Sequence, residues 1–198
     1  MFRILSVFSS SNLSIRRNKG FTIVELMVSI AVVAILSAIA LPNMNEFLVK
    51  MRVDNQISEL QRLLLTARNM AINTGRNTTV CPLNGNSCSN NWQNTISVFT
   101  NDSNAIATNN TYAAPDELIK TKEAISTGDK LQSTENSIIY APDGRLITTA
   151  ANFSFCPKDK ADLSRGIVIS ISGRSYPSSD IDSDGKDEDR AGNEIVCT

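Results

Sequence analysis

An apolar run near the N-terminus constrains this chain more than any other feature. Over the 21 residues from 21 to 41, only four side chains are polar: Thr22, Glu25, Ser29 and Ser37. A helix of this length measures about 31 Å at 1.5 Å per residue, which is enough to span a bilayer. A secretory signal peptide is the competing interpretation, but its apolar core is shorter, about 7–15 residues. The run therefore predicts a retained membrane helix.

The residues before this run predict its orientation. Arg16, Arg17 and Lys19 crowd its N-terminal side. The positive-inside rule keeps such a basic cluster in the cytoplasm. We therefore expect a single-pass protein with a cytoplasmic N-terminus, contacts to membrane lipid over residues 21–41, and all later residues on the far side.

Glu25 is the one acid in the apolar run, and it needs an explanation. A carboxylate at the centre of a membrane helix costs roughly 2.5–3.5 kcal/mol on insertion scales, and less near the interface. One interpretation is an interfacial acid that reaches the lipid headgroups. The other begins with a cut between Gly20 and Phe21, which would create a free α-amine four residues before Glu25 on this chain and on any neighbouring copy. An acid–amine pair would then satisfy Glu25 in a medium of low dielectric constant.

A second helical pattern follows Pro42. Apolar residues recur mostly every three or four positions, which predicts an amphipathic helix to about Asn73. Pro42 removes a backbone donor and predicts a kink, and Gly75 predicts the end of the helix. We expect a sheet to pack on the apolar stripe, which comprises Met44, Phe47, Leu48, Met51, Ile57, Leu60, Leu64, Ala67 and Ala71.

Beyond Gly75 the sequence changes to short β-rich runs separated by Asn, Gly, Ser and Asp. Together with the helix they predict an α+β fold, in which a long N-terminal helix packs on one antiparallel β-rich head. Residues 100–115 are polar and rich in Asn, so we expect an exposed loop there. The predicted strands are 78–82, 95–100, 117–125, 137–141, 152–156, 165–172 and 194–197, with a turn at 141–144.

The four cysteines all follow the apolar run, and an even number in an exported domain predicts disulfides. Cys81 and Cys88 flank an Asn-Gly turn signal, which favours pairing them and leaves Cys156 to pair with Cys197. The other two pairings stay open. Their spacing matches no zinc site. The chain has no histidine, which removes the commonest general base and argues against an enzyme.

The acidic stretch near the C-terminus suggests a calcium loop. Asp180, Asp182 and Asp184 alternate and Gly185 follows, as at the start of an EF-hand loop. The twelfth position is Ala191 rather than Glu, so another acid, Glu188, Asp189 or Glu194, would have to complete the set. We name Asp180, Asp182, Asp184 and Glu188 as the tentative ligands. A merely solvated acidic loop is the alternative, and both interpretations stay open. No other cofactor is expected.

The stretch KGFTIVELMVSIAVVAILSAIALP, residues 19–42, resembles the class III leader and N-terminal helix of type IV pilins and type II secretion pseudopilins. The resemblance implies a leader (1–20) that a prepilin peptidase cleaves after Gly20, N-methylation of Phe21, and pairing of Glu25 with a neighbouring subunit's amine. It also implies residence in the inner membrane, with a periplasmic head, before assembly into a surface pilus. The expected divisions are 1–20, a filament-core helix at 21–41, its amphipathic half at 42–74, and the head at 75–198.

The order of the later motifs resembles a narrower group, the GspH/FimT minor pilins and pseudopilins. The matching stretches are LLLTARNMAINTGRNTTVCP, Trp92 followed by SVF, YAPDGR, FSFCP, IVISISGR and a last cysteine. The resemblance implies a minor pilin near the filament tip that helps prime assembly with other minor and major pilins. A type II secretion pseudopilin is the alternative.

A DNA-binding competence pilin is the second alternative. The DNA-binding members carry a Gly-Arg-x-Arg stretch, and here that place reads Gly173-Arg174-Ser175-Tyr176. The second arginine is missing, which leaves Arg174 as the tentative contact. The neighbouring acidic stretch would repel a polyanion.

Overall fold

The computed structural model describes residues 20–102 and 109–197. The described residues divide into two compact units, one that ends at residue 43 and one that begins at residue 44. The leader predicted at 1–20 lies outside the described residues except for Gly20.

One long helix, α1, spans Ile23–Thr74. Thr22 caps its start, because its Oγ1 accepts a hydrogen bond of 3.1 Å from the N–H of Glu25. The helix ends where the sequence predicts: Gly75 has a φ of +66° and donates its N–H to the carbonyl of Ala71 at 3.1 Å. Pro42 lies within α1, and the kink expected there stays a prediction.

A search of the described residues finds no helix that combines the length and the hydropathy needed to cross a membrane. The membrane span expected over residues 21–41 is therefore not confirmed.

The described residues of the second unit form two antiparallel sheets. In the first, β1 pairs with β2, β3 and β6, and β3 pairs with β4. The second has the order β5-β7-β8-β9. The strands are β1 (Thr78–Asn84), β2 (Ser87–Cys88), β3 (Ile96–Thr100), β4 (Glu117–Lys122), β5 (Lys130–Ser133), β6 (Ile138–Tyr140), β7 (Ala151–Cys156), β8 (Arg165–Ile169) and β9 (Ser175–Pro177). A 3-10 helix spans Ala161–Leu163.

One buried cluster joins the second half of α1 to both sheets. The residues of α1 in it are spaced three or four apart, so they lie on one face of the helix. Full burial of a leucine side chain contributes about 1.5–3 kcal/mol, and α1 supplies three of them, Leu60, Leu63 and Leu64. Trp92, between β2 and β3, packs its ring edge-to-face on Phe153 of β7 in the second sheet, with centroids 4.7 Å apart. The chain is thus an α+β protein, with a long helix packed on antiparallel sheets.

Several sequence expectations need correction. The apolar stripe does not stay buried along its whole length: Met44, Phe47, Leu48 and Met51 are about half exposed, and burial begins at Val53. The predicted loop at 100–115 is not exposed throughout, because Asn109 is fully buried and its carbonyl accepts a 2.6 Å hydrogen bond from Thr79 Oγ1 of β1. The strand expected at 194–197 is also wrong, since only an isolated bridge forms, at Glu194.

Candidate functional site

Two regions concentrate the predicted site residues. The first is the apolar segment, residues 21–38 at the start of α1. The second is the acidic loop, residues 180–188. The two regions belong to different compact units.

The hydroxyl groups of the apolar segment form local hydrogen bonds with the backbone of the helix. Thr22 and Glu25 form a helix start of the T-x-x-E type, with Thr22 Oγ1 accepting from the third residue of the helix. The hydroxyls of Ser29 and Ser37 donate to the carbonyls of Glu25 and Val33, each at 2.7 Å. Because these hydrogen bonds satisfy both hydroxyls, neither side chain leaves an unsatisfied donor on the apolar surface. The Glu25 carboxylate forms no ion pair with any described residue.

The apolar segment exposes its large side chains on all faces. Phe21 is 82% exposed, and the large aliphatic side chains that follow are more than half exposed. Exposed apolar surface of this extent marks a site of association in a folded protein. The side chains are Phe21, Ile23, Val24, Leu26, Met27, Val28, Ile30, Val32, Val33, Ile35 and Leu36.

Both disulfides have the pairing that the sequence favours. Cys81 bonds to Cys88 across the β1–β2 hairpin, where Leu83 pairs with Cys88 and Gly85 takes a φ of +62°. Cys156, the last residue of β7, bonds to Cys197 and closes a separation of 41 residues. The second disulfide fixes the C-terminal segment that follows the acidic loop.

The acidic loop folds tightly on its own backbone. Gly185 has a φ of +93°, and its N–H donates to Asp180 Oδ2 at 3.1 Å. The N–H groups of Asp184 and Lys186 donate to the carboxylates of Asp182 and Asp184 at 3.2 and 2.8 Å. The loop closes where Ser179 and Glu188 exchange two backbone hydrogen bonds, of 3.0 and 3.2 Å. The alternating aspartates thereby curl around one centre.

The structure brings the four predicted ligands together. One carboxylate oxygen from each of Asp180, Asp182, Asp184 and Glu188 lies within 4.8 Å of the others. The three aspartates are exposed, whereas Glu188 is only 5% exposed. Glu188 Oε2 accepts a 2.7 Å bond from the N–H of Ile181. Its buried Oε1 has no hydrogen-bond partner in the part of the chain that the structure describes.

The residue before Glu188 anchors the acidic loop to the rest of the unit. Asp187 is buried and accepts hydrogen bonds of 2.7 Å from Arg165 Nη1 of β8 and from Ser178 Oγ. Arg165 also contacts Asp54 of α1, with Nε 2.6 Å from Oδ1. Sequence reasoning missed Asp187, because no local pattern relates it to Ser178, nine residues away, or to Arg165, 22 residues away. The loop is thus connected through Arg165 to α1.

Lys186, the one cation of the acidic loop, points to a different acid. Its Nζ donates to both carboxylate oxygens of Glu194, at 3.1 and 3.2 Å. This hydrogen-bonded pair holds the pKa of Lys186 above its ordinary value. Asp189, just after the loop, has its pKa lowered by hydrogen bonds from Asn193. Asp189 therefore stays ionised but lies outside the four-carboxylate cluster.

Two arginines near the acidic loop already have partners among the described residues. Arg165 is held between Asp54 and Asp187, and Arg190 stacks on the ring of Tyr176 with its guanidinium carbon 4.2 Å from the centroid. Arg174 is exposed in the turn before β9. DNA binding through Arg174 stays a prediction.

The fold and the apolar segment define the class of this protein. A long N-terminal helix, apolar and exposed in its first half and packed on antiparallel sheets in its second, is the pilin-like α+β arrangement. The family model described as type II transport protein GspH matches residues 56–173, and that of the prokaryotic N-terminal methylation motif matches residues 15–41. Because the first match covers more than half of the chain, this protein belongs to the GspH family.

Individual relatives match less of the chain. Two fimbrial proteins of Pseudomonas aeruginosa are 38% identical to it over 61 residues, which cover 31% of this chain. The chain spans 39% of the length of these curated relatives.

Two solved structures are similar at low sequence identity. The type IV minor pilin FimU of P. aeruginosa has 20% identity and a TM-score of 0.48, covering 63% of this chain and 86% of that one. The minor pseudopilin EpsH from the type 2 secretion system of Vibrio cholerae has 11% identity and a TM-score of 0.46, covering 64% of this chain and 95% of that one.

Proposed function

We propose that this chain is a structural subunit, a minor pilin that enters a type IV pilus near the tip and helps to prime its assembly. Its partners in this proposal are other minor and major pilins. A prepilin peptidase cleaves the chain after Gly20, and Phe21 becomes the methylated N-terminus. No catalytic step is assigned to the protein.

The observation that carries the proposal is the exposed apolar segment with a single unpaired carboxylate. Its large side chains gain stability only by packing against other apolar groups, and burial is worth about 25 cal/mol per Å² of apolar surface. The hydroxyls of Ser29 and Ser37 donate hydrogen bonds to carbonyls of their own helix, so burying them in that packing leaves no donor unsatisfied. Equivalent helices of other pilin subunits supply a matching apolar surface.

Glu25 would set the register of that packing. Once the apolar segment is buried among neighbouring helices, an unpaired carboxylate becomes costly, and a neighbour's terminal amine is the cation that cleavage creates. If the helices are shifted along their axes, the Glu25 carboxylate and the neighbour's terminal amine do not meet, and both charges stay unpaired. The pair therefore selects one axial position for the incoming subunit, while the apolar surface supplies the affinity.

The proposal is tested by replacing Glu25 with Gln in the chromosomal copy and measuring the subunit in sheared filaments. Removing one partner of a buried charge pair costs about 3–5 kcal/mol, so we expect incorporation to fall by about tenfold or more. Glu46→Gln is the matched control, since it makes the same change at an exposed position of α1 outside the apolar segment. Total subunit in the cell is measured in parallel.

Equal incorporation of the Glu25→Gln and control subunits would refute the role of Glu25. A deletion strain separates the pilin role from its alternative: we expect loss of pili. Normal pili together with a loss of enzyme secretion would instead assign the chain to a type II secretion pseudopilus.

A further inference from the structure

We propose that the acidic loop is a Ca²⁺ site with Asp180, Asp182, Asp184 and Glu188 as its protein ligands. The loop follows residue 173, the last residue that the GspH family model matches. The proposal is independent of the filament in which the subunit works.

The distances between the carboxylates suit one calcium ion. Calcium–oxygen bonds measure about 2.3–2.6 Å, so two ligands of the same ion lie at most about 5 Å apart. The four carboxylate oxygens lie within 4.8 Å of one another. Four acids held this close repel one another, and the ammonium of Lys186 hydrogen-bonds to Glu194 rather than to a carboxylate of the cluster.

A buried oxygen of Glu188 points independently to a cation at this site. A buried oxygen with no hydrogen-bond partner is destabilising, and more so when the group is charged. Oε1 of Glu188 is such an atom among the described residues, on a side chain that is 95% buried, and its carboxylate belongs to the cluster. A bound cation would satisfy that oxygen.

The backbone explains how Glu188 can replace the missing twelfth ligand. An EF-hand loop uses a carboxylate at position 12, which here is Ala191. The paired backbone hydrogen bonds between Ser179 and Glu188 close this loop earlier and bring Glu188 to the first three ligands. Gly185 keeps the sharp turn of the sixth position, with a φ of +93°.

The ligand chemistry favours Ca²⁺ over Mg²⁺. Calcium accepts six to eight oxygens in irregular geometry, whereas magnesium requires a near-ideal octahedron and gives up its waters reluctantly. Four carboxylates on an irregular loop with three exposed aspartates leave room for waters to complete a calcium shell.

Ion binding would stabilise more than the loop itself. Asp187 adjoins Glu188 and is bonded to Arg165, which contacts Asp54 of α1. The carbonyl of Asp187 also accepts a 2.9 Å bond from the N–H of Ile195, two residues before the disulfide-bonded Cys197. A fixed loop therefore holds both the C-terminal segment and a contact to the helix.

The test uses the full chain, purified in detergent because of its apolar segment, treated with a chelator and then exchanged into metal-free buffer. Calorimetric titration with CaCl₂ should give one site per chain, with a Kd on the order of 10⁻⁴ M. At about 100 times that Kd, the melting temperature should rise by roughly 5–10 °C. MgCl₂ at equal ionic strength should give a much smaller shift.

Two variants test the ligands: a double variant neutralises two acids of the cluster, and a control neutralises one acid outside it. Asp180→Asn combined with Glu188→Gln keeps the shape of both side chains and should weaken Ca²⁺ binding by about tenfold or more. Asp189→Asn neutralises an acid of the same stretch outside the cluster and should leave the Kd unchanged.

The proposal is overturned if the folded wild-type chain shows neither binding heat nor a rise in melting temperature with Ca²⁺. It is also overturned if Mg²⁺ stabilises equally, or if Asp189→Asn weakens binding as much as the double variant, because each result indicates only screening of an acidic patch. The wild-type titration decides the question even if the double variant does not fold.

Discussion

At the residue scale, Arg68 of α1 holds two tight turns that no local pattern connects. Its Nε donates to the carbonyl of Gly144 at 2.9 Å, and its Nη2 donates to the carbonyl of Ser172 at 3.3 Å. Gly144 ends the predicted 141–144 turn, which the structure confirms with a 2.8 Å bond to Ala141. Gly173 follows Ser172 with a φ of +76°. The guanidinium of Arg68 thus contacts both turns and holds them next to each other.

Because the backbone around Gly173 is crowded, we expect the added Cβ of an alanine at this position to lower the stability of the fold strongly. A Cβ at Gly173 would lie 2.0 Å from the carbonyl oxygen of Gly144, and backbone cannot move aside as a side chain can. We expect Gly173→Ala to lower the free energy of unfolding by about 3 kcal/mol or more in chemical denaturation. Gly85→Ala, also at positive φ but in open space, should lose only about 1–2 kcal/mol. Equal losses would contradict the steric argument.

A buried lysine predicts a pH dependence. Lys122 of β4 is 2% exposed, and its Nζ lies 2.5 Å from Gln56 Oε1 and 3.6 Å from Glu59 Oε2, both on α1. Burial lowers the pKa of Lys122, and Glu59 only partly opposes this. Between the lowered pKa and the ordinary value of 10.5, the unfolded chain therefore binds more protons than the folded one. The stability of the fold rises with pH in that window.

The measurement compares the wild type with Lys122→Met by denaturant unfolding at several pH values from about 7 to about 10. The stability of the wild type relative to this variant should increase as the pH rises. Lys120→Met, an exposed site on the same strand, should show no such trend. A relative stability of the wild type that is flat or falls with pH would contradict the assigned shift.

Contacts between residues close in sequence were predictable, whereas contacts between residues far apart in sequence were not. Three alternating aspartates, Gly185 and Glu188 lie within nine positions, so spacing alone grouped them. The cap by Thr22 was missed although its T-x-x-E pattern was visible. The contacts of Arg68 with Gly144 and Ser172 join residues 76 and 104 positions apart, and nothing in the sequence marks them.

At the scale of elements, the two disulfides restrain loops of very different size. Cys81 and Cys88 are seven residues apart, and Cys156 and Cys197 are 41 apart. The entropy that a cross-link removes from the unfolded chain grows with the logarithm of the loop length. The longer loop contains β8, β9 and the acidic loop, so its disulfide restrains the larger part of the second sheet.

The difference in loop size predicts an order of stability losses. Replacing both Cys156 and Cys197 with Ala should lower the free energy of unfolding by about 4 kcal/mol, and the same change at Cys81 and Cys88 by about 2 kcal/mol. Both losses are measured by denaturant unfolding of the full chain. The reverse order would show that local packing at the hairpin outweighs loop entropy.

Element boundaries were predicted well where a pattern was long. The end of α1 at Thr74 and the cores of β1, β3 and β7 followed from helical periodicity and β-rich runs. The three short strands β2, β5 and β9 were missed, because two to four residues carry too little pattern. The division of the head into two sheets was missed for a related reason, since pairing partners are chosen by tertiary contacts.

At the scale of the whole molecule, the chain combines surfaces of opposite character. The apolar segment at the start of α1 exposes large side chains and has one unpaired carboxylate. The second unit has a closed core fixed by two disulfides, and a cluster of acids on its surface. This division fits a subunit that associates through its helix and presents its head to solvent or to other heads. Residues 19–42 indicated the class and the later β-rich runs indicated an antiparallel head, whereas the division of that head into two sheets required the fold.

Intact mass of the chain recovered from sheared filaments tests the central claim most directly. The account predicts a polypeptide that begins at Phe21 with one added methyl group and lacks four thiol hydrogens. A filament-bound chain that retains the first 20 residues would contradict the account, and so would filaments from which the chain is absent while it accumulates in the cell.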